Sequence, residues 1–200
     1  QGLLAYVSSD QAITTATDTK ITLDATTFDP SSLLGSNKIT PTKAGTYLFV
    51  AKVTINALAA AKFTQIHVYK NGSQYVQCQT TMGVADRGEI ILAGIAEMNG
   101  TTDYLELFVY HNHGSNRDAS GASADTFLGV HRLGTTGDDY YVYANLTADQ
   151  SGLTNNSYTK IALDEVVFDP QSDFDTATNN RYTPTKAGTY LVIGNTDIGS

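Results

Sequence analysis

The chain has 200 residues, 41% hydrophobic and 16% charged, with a formal net charge of −8, one cysteine and no tryptophan. That balance belongs to a globular chain. The negative charge, with no Lys/Arg cluster to offset it, argues against nucleic acid or an anionic membrane surface as partner. The lone Cys78 excludes a disulfide within one chain and favours assembly in a reducing cytoplasm. No apolar run approaches the ~20 residues that span a bilayer, so membrane insertion is not expected.

Strand signals recur along the first two thirds, and no segment shows sustained helical periodicity. Leu3 to Val7 is a first short strand and Thr19 to Leu23 a second. "PTKAGTYLFVAKVTI" begins at Pro41. There Tyr47, Phe49, Ala51, Val53 and Ile55 alternate with Leu48, Val50, Lys52 and Thr54, the period of a strand with one face in a core. Gly45 in "KAG" supplies a permissive turn before it. Phe63 to Lys70 and Ser73 to Gln79 flank Asn71-Gly72, a hairpin signal because a type I′ turn needs positive φ at both positions. Glu89 to Glu97 and Asp103 to Tyr110 flank Asn99-Gly100, which predicts a second hairpin of the same kind. A last strand runs from Asp125 to Gly134. The pattern predicts an all-β jelly-roll sandwich of about eight to ten strands.

The early part is spelled twice. "TKITLDATTFDP" from Thr19 returns 140 residues later as "TKIALDEVVFDP", and "PTKAGTYLFVAKVTI" returns after 143 as "PTKAGTYLVIGNTDI" from Pro184. A period near 140 is the length of a domain, too long for a solenoid or propeller unit. In the second long strand Tyr190, Val192, Gly194, Thr196 and Ile198 take the matching face, after a turn at Gly188. Residues 1–136 therefore read as one complete jelly roll, and 137–200 as the truncated first half of a second. The start, "QGLLAYVSSD", lacks Met and a basic leader, so Gln1 reads as an interior or processed position and both ends as cuts through something longer.

Tyr104, Phe108 and Tyr110, with Glu106, share the face opposite Leu105, Leu107 and Val109. Aromatics on an outer face mark either a subunit interface or partial burial under a loop. Tyr104, Phe108 and Tyr110 are the candidate trimer-interface residues.

The order "TKITLDATTFDP", "TPTKAGTYLFVAKV", "IHVYKNGS", "YLELFVYHN", "DTFLGVHRL" resembles the complement C-one-q globular head, which shares its trimeric jelly roll with tumour necrosis factor. Pro41, Ala44, Gly45, Tyr47 and Phe49 fit the lead-in to that family's long strand, though Ile39 stands where Phe is expected. "TFLG" from Thr126 is similar to its last strand. The resemblance covers residues 1 to about 134 and implies a homotrimer of ten-stranded subunits that binds through exposed loops. With no collagen-like stalk and no disulfide, stretches such as "NNRYTPTKAGTYLVIGNTDI" look like head-type modules of bacteriophage tail fibres and other virion appendages. The family sometimes holds calcium near its threefold axis, so Ca²⁺ is carried as a cofactor alternative to none.

His111-Asn112-His113 places two imidazoles on one strand face, the geometry of a metal pair, but no further ligand stands at a convincing spacing, and ordinary polar residues at a strand end explain them. The polar loop from Gly114 to Asp125 follows. Asn112, His113, Asn116, Arg117 and Asp118 are the candidate ligand-binding residues, suited to hydrogen-bonding a sugar; the alternative is a loop without a ligand. The acidic pairs in "LDATTFDP" and "LDEVVFDP", and Asp138-Asp139, suit Ca²⁺ or simply form turns. Nucleophile, zinc-protease and phosphate-loop signatures are missing, and Cys78 lies mid-strand as a small core residue. Sequons begin at Asn71, Asn99, Asn145 and Asn155, two of them in the turns.

The expectation is a non-enzymatic homotrimer in a bacteriophage virion, assembled with other virion proteins and recognising a host-surface glycan or protein. Two alternatives stand beside it: a head fibre, decoration or adaptor protein without receptor binding, and a secreted, extracellular lectin-like protein.

Overall fold

The structure is a computed structural model that describes residues 1–81, 86–134, 142–186, 192–194 and 196. Its strands are β1 (Gly2–Tyr6), β2 (Gln11–Ile13), β3 (Thr19–Lys20), β4 (Ala25–Phe28), β5 (Leu34–Gly35), β6 (Lys38–Ile39), β7 (Gly45–Ile55), β8 (Phe63–Lys70), β9 (Ser73–Thr81), β10 (Gly88–Met98), β11 (Leu105–His111), β12 (Arg117–Ala119), β13 (Phe127–Gly134), β14 (Tyr143–Asn145), β15 (Glu165–Phe168), β16 (Phe174–Asp175) and β17 (Arg181–Tyr182). No helix occurs among the described residues, and none is long and apolar enough to cross a membrane. Contacts divide the chain into two units, with β1–β13 in the first and β14–β17 in the second.

In the first unit β1, β2, β4, β7, β10, β12 and β13 form one antiparallel sheet, and β3, β5, β6, β8, β9 and β11 the other. Two sheets pack because each strand presents an apolar side every second residue. Tyr47, Phe49, Ala51 and Val53 of β7 are fully buried, and they meet Ile66 and Val68 of β8 and Leu105, Leu107 and Val109 of β11 in one core. Strand β7 holds its sheet together, pairing with β10 from Gly45 to Ile55 and with β13 on its other side. Gly45 opens it at φ 142°, a conformation that favours glycine.

Asn71-Gly72 forms the predicted hairpin: Lys70 faces Ser73, and the two turn residues sit at φ 55° and 78°. The hairpin predicted at Asn99-Gly100 does not form. Strand β10 pairs with β7 in one sheet, whereas β11 pairs with β8 in the other, so residues 99–104 cross between sheets. Asn99 turns its side chain back instead, Oδ1 accepting the backbone N–H groups of Thr101, Thr102 and Asp103, which makes a wider corner than a two-residue hairpin. Gly100 is needed there because a Cβ would stand 2.2 Å from the backbone nitrogen of Ala44. The second strand is shorter than its pattern predicts, Thr19–Lys20 only. Ile21 and Leu23 still enter the core, but Leu23 N–H bends back to the Ile21 carbonyl.

The second unit repeats the hydrogen bonds of the start of the first. Leu4 faces Phe28 and, across a register shift, Ala5 faces Thr26; Tyr143 faces Phe168 and, across the same shift, Ala144 faces Val166. Gln11 accepts from Thr22 N–H and donates to the Lys20 carbonyl, and Gln150 does so with Ala162 and Lys160. Asp24 accepts the N–H and hydroxyl of Ser8, as Asp164 accepts those of Thr147. Burial differs. Ile13, Ile21 and Leu23 are covered, whereas Leu153 is 41% exposed and Ile161 and Leu163 are half-buried. Most of the second long strand, expected over 184–198, lies outside the described residues, as do Asp138-Asp139 and the expected boundary at 136; of that stretch 184–186, 192–194 and 196 are described, and none lies in a strand.

Candidate assembly face and loop cluster

The outward side of the seven-stranded sheet is apolar along its middle. Phe28, Leu4, Gly129, Val50 and Ala93 face one another in register across β4, β1, β13, β7 and β10, one row over five strands without a polar side chain. The flanking rows are Gly2, His131, Leu48, Ile95 and Tyr6, Phe127, Lys52, Ile91. Ile91 is 57% exposed and Phe28 48%. A shallow depression lies between Phe28, Leu4, Val50 and Phe127. Lys52 is drawn to the rim by Glu89, 3.1 Å away. A sandwich strand with one face in water normally alternates apolar with polar. Here the middle of β7 and β10 is apolar outward as well, at Leu48, Val50, Ala93 and Ile95, with Lys52, Glu89 and Glu97 toward the ends. The signal was present in "YLFVAKV" and "EIILAGIAE", whose outward positions hold Leu48, Val50, Ile91, Ala93 and Ile95, but reading for the inward alternation alone passes over it.

The three aromatics expected at an interface lie on the outward side of the other sheet, all half-buried. Phe108 stacks on Tyr69 at 4.2 Å, Tyr110 on Phe63 at 5.8 Å, and Lys38 sits 4.1 Å over the Tyr104 ring. Between them Glu106 is buried and meets Lys20 at 2.7 Å. His67 joins this side 3.2 Å from Asp18, off the hydrogen-bond direction, and burial holds its pKa below the ordinary value despite that carboxylate. These rings are thus largely satisfied by one another.

The five candidate loop residues are brought together at one end of the first unit, mostly as internal fastenings. Asn112 Oδ1 accepts Phe63 N–H at 2.8 Å, and Asn116 Oδ1 accepts Thr15 N–H at 3.3 Å. The Arg117 guanidinium donates to the carbonyls of His113, Ser115 and Asn116 and to the Ser115 hydroxyl. Asp118 is exposed, while its carbonyl accepts Asn56 N–H. His113 is buried between Ala59 and Thr64. The rings of His111 and His113 do share one face, 5.3 Å apart, but their nitrogens are engaged by protein groups, which leaves no lone pair for a metal. Among the described residues no group of three His, Cys, Asp or Glu side chains is placed to hold a metal ion. Asp24 and Asp29 fasten turns, Asp29 accepting the N–H groups of Leu33 and Leu34. Of the sequon asparagines, Asn71 is tied to Asp103 and Tyr104, Asn99 to its own turn, and Asn145 to Glu165.

No family model matches the sequence, and no curated protein matches it. Solved structures do match by shape. Eiger TNF from S. frugiperda superposes with a TM-score of 0.51 at 13% identity, covering 68% of this chain and 94% of that one. The globular domain of zebrafish complement 1qA protein gives 0.50 at 7% identity, covering 68% of this chain and 98% of that one. With two antiparallel sheets around one core, the chain has the jelly-roll fold of tumour necrosis factor and the complement 1q globular domain.

Proposed function

We propose that the protein is a non-enzymatic, homotrimeric module of a bacteriophage virion appendage, such as a tail fibre, in which each chain carries one complete jelly roll and the first half of a second. The apolar row Phe28, Leu4, Gly129, Val50, Ala93 carries this reading. Apolar surface running across five strands is stabilised by removal from water, at roughly 25 cal/mol per Å², and a closed ring of identical subunits covers the same patch on each. The fold supports three as the number of copies. The acidic composition without a disulfide pair suits assembly in a host cytoplasm before the particle leaves it. The paired hydrogen-bond sets around Gln11 and Gln150, and around Asp24 and Asp164, support a duplicated domain.

Receptor recognition is assigned to exposed loops, where weak contacts to a host glycan add across three subunits. A purely structural role, as a head fibre, decoration or adaptor protein, is favoured by one observation: Asn112, His113, Asn116 and Arg117 spend their polar groups on the protein itself. A host-cell adsorption assay with the purified protein separates the two. Competition with particle binding supports recognition, and no competition at saturating protein supports the structural role. Specific binding by the protein, lost on substituting Asp118 alone, would tie recognition to this loop.

A further inference from the structure

Three loops at one end of the first unit are fastened through two buried imidazoles. His111 donates from Nε2 to the carbonyl of Ile13 at 3.1 Å, and its Nδ1 accepts the backbone N–H of His113 at 3.3 Å. His113 accepts the backbone N–H of Ala59 on Nδ1 at 2.9 Å and places Nε2 3.0 Å from the Thr64 hydroxyl. A backbone N–H only donates and a carbonyl only accepts, so His111 is neutral with its proton on Nε2. His113 has the same tautomer, because its Nδ1 must be the acceptor. The strap of residues 14–18 hangs from this pair: Ala16 N–H donates to the His111 carbonyl, and Thr15 bonds Gly114 and Asn116. The charged groups acting on the rings are Arg117 of β12 and Lys62 ahead of β8, both cations; Ile13, Ala59 and Thr64 present uncharged groups. Asp18, the carboxylate of the strap, faces His67.

We infer that His111 and His113 form an acid-released latch, which holds the strap of residues 14–18 and the loop around Ala59 closed when neutral and frees them when protonated. A second proton on either ring goes to Nδ1 and sets one donor against another, at His113 N–H or at Ala59 N–H. An unmatched buried donor costs about 1–3 kcal/mol, more when charged, and Arg117 and Lys62 add repulsion. The strands are fastened independently of the rings, so the change stays at this end. Burial first, then Arg117 at His111, and the His111 ring, Arg117 and Lys62 at His113, also hold the two imidazoles below their ordinary pKa, which places the release below neutral pH.

The test is amide exchange and imidazole titration by NMR on the isotope-labelled full chain, between about pH 7.5 and about pH 5. After correction for intrinsic exchange, the amides of Ala16, Ala59 and His113 should lose about tenfold more protection than those of β7, the scale set by losing one buried hydrogen bond. The midpoint should follow the His111 and His113 ring signals. Equal retention of protection at the three amides and in β7 at the acid end overturns the inference. In the double variant His111→Asn, His113→Asn, Oδ1 keeps an acceptor near each Nδ1 but does not titrate, so the differential response should vanish; its persistence there also overturns the latch. The measurement on the unaltered chain decides the matter even where the double variant does not fold.

Discussion

Leu48 of β7 lies directly opposite Ile95 of β10, and both side chains point away from the core that Tyr47 and Phe49 fill. A cross-strand apolar pair on an outward face gains little in water. It gains when a second surface covers it. The same holds for Val50 opposite Ala93 one row along.

Val50→Asp places a carboxylate in the middle of that face without touching the core. The account predicts that self-association weakens by at least about 100-fold, from the cost of burying an unpaired charge, while far-UV circular dichroism is unchanged. Sedimentation across a concentration series reads it. Phe108→Ala on the opposite sheet should leave the mass alone and cost roughly 1–3 kcal/mol of stability through the lost stack on Tyr69. Loss of the oligomer with Phe108→Ala and not with Val50→Asp would move the interface to the aromatic face.

Gly94 tests the core. A Cβ there would lie 2.4 Å from Cζ of Phe49, whose ring is fully buried and meets Tyr75 edge-on at 6.3 Å. Gly94→Ala should destabilise the fold by about 1–3 kcal/mol through overpacking. The companion change Phe49→Leu should recover part of that loss, read as coupling in a double-mutant cycle of urea midpoints.

Acid should weaken the fold as a whole. Burial is the largest cause of the lowered pKa at His67, His111 and His113. Their folded pKa values lie below the unfolded value of about 6.5, so the unfolded chain binds protons first as pH falls. The stabilisation is fully present above that value and is lost as pH drops through the folded values. Urea midpoints should therefore be flat from about pH 8 to 7 and fall below about pH 6.5. A midpoint that rises on acidification through that window contradicts this assignment.

The second unit should exchange faster than the first. Its hydrogen bonds copy those of β1–β4, but Leu153, Ile161 and Leu163 lack the cover that Ile13, Ile21 and Leu23 have. Hydrogen exchange by mass spectrometry on the 200-residue chain should find β14 and β15 less protected than β1 and β4 by at least about 100-fold. Equal protection would mean that the second unit is covered by a surface of its own.

Much of the fold could be read from period and turn chemistry. The alternation of Tyr47, Phe49, Ala51 and Val53, and the Asn71-Gly72 hairpin, needed only local information. Asn99-Gly100 misled because the same dipeptide serves a crossover when its Asn side chain caps the turn, and the choice between hairpin and crossover is made by which sheet each flanking strand joins. Strands β2, β4, β5, β6 and β12 are two to four residues long, too short for a period to register. The loop residues Asn112, His113, Asn116 and Arg117 were found as a cluster, but their engagement with Thr15, Ala59 and Phe63, distant in sequence, is set by the fold.

The mass of the unaltered protein in solution bears most directly on the proposed assembly. Light scattering at micromolar concentration should give three times the chain mass of 21.4 kDa. A mass equal to one chain across that range would contradict the proposed trimer and leave the apolar face of β7 and β10 without the partner assigned to it.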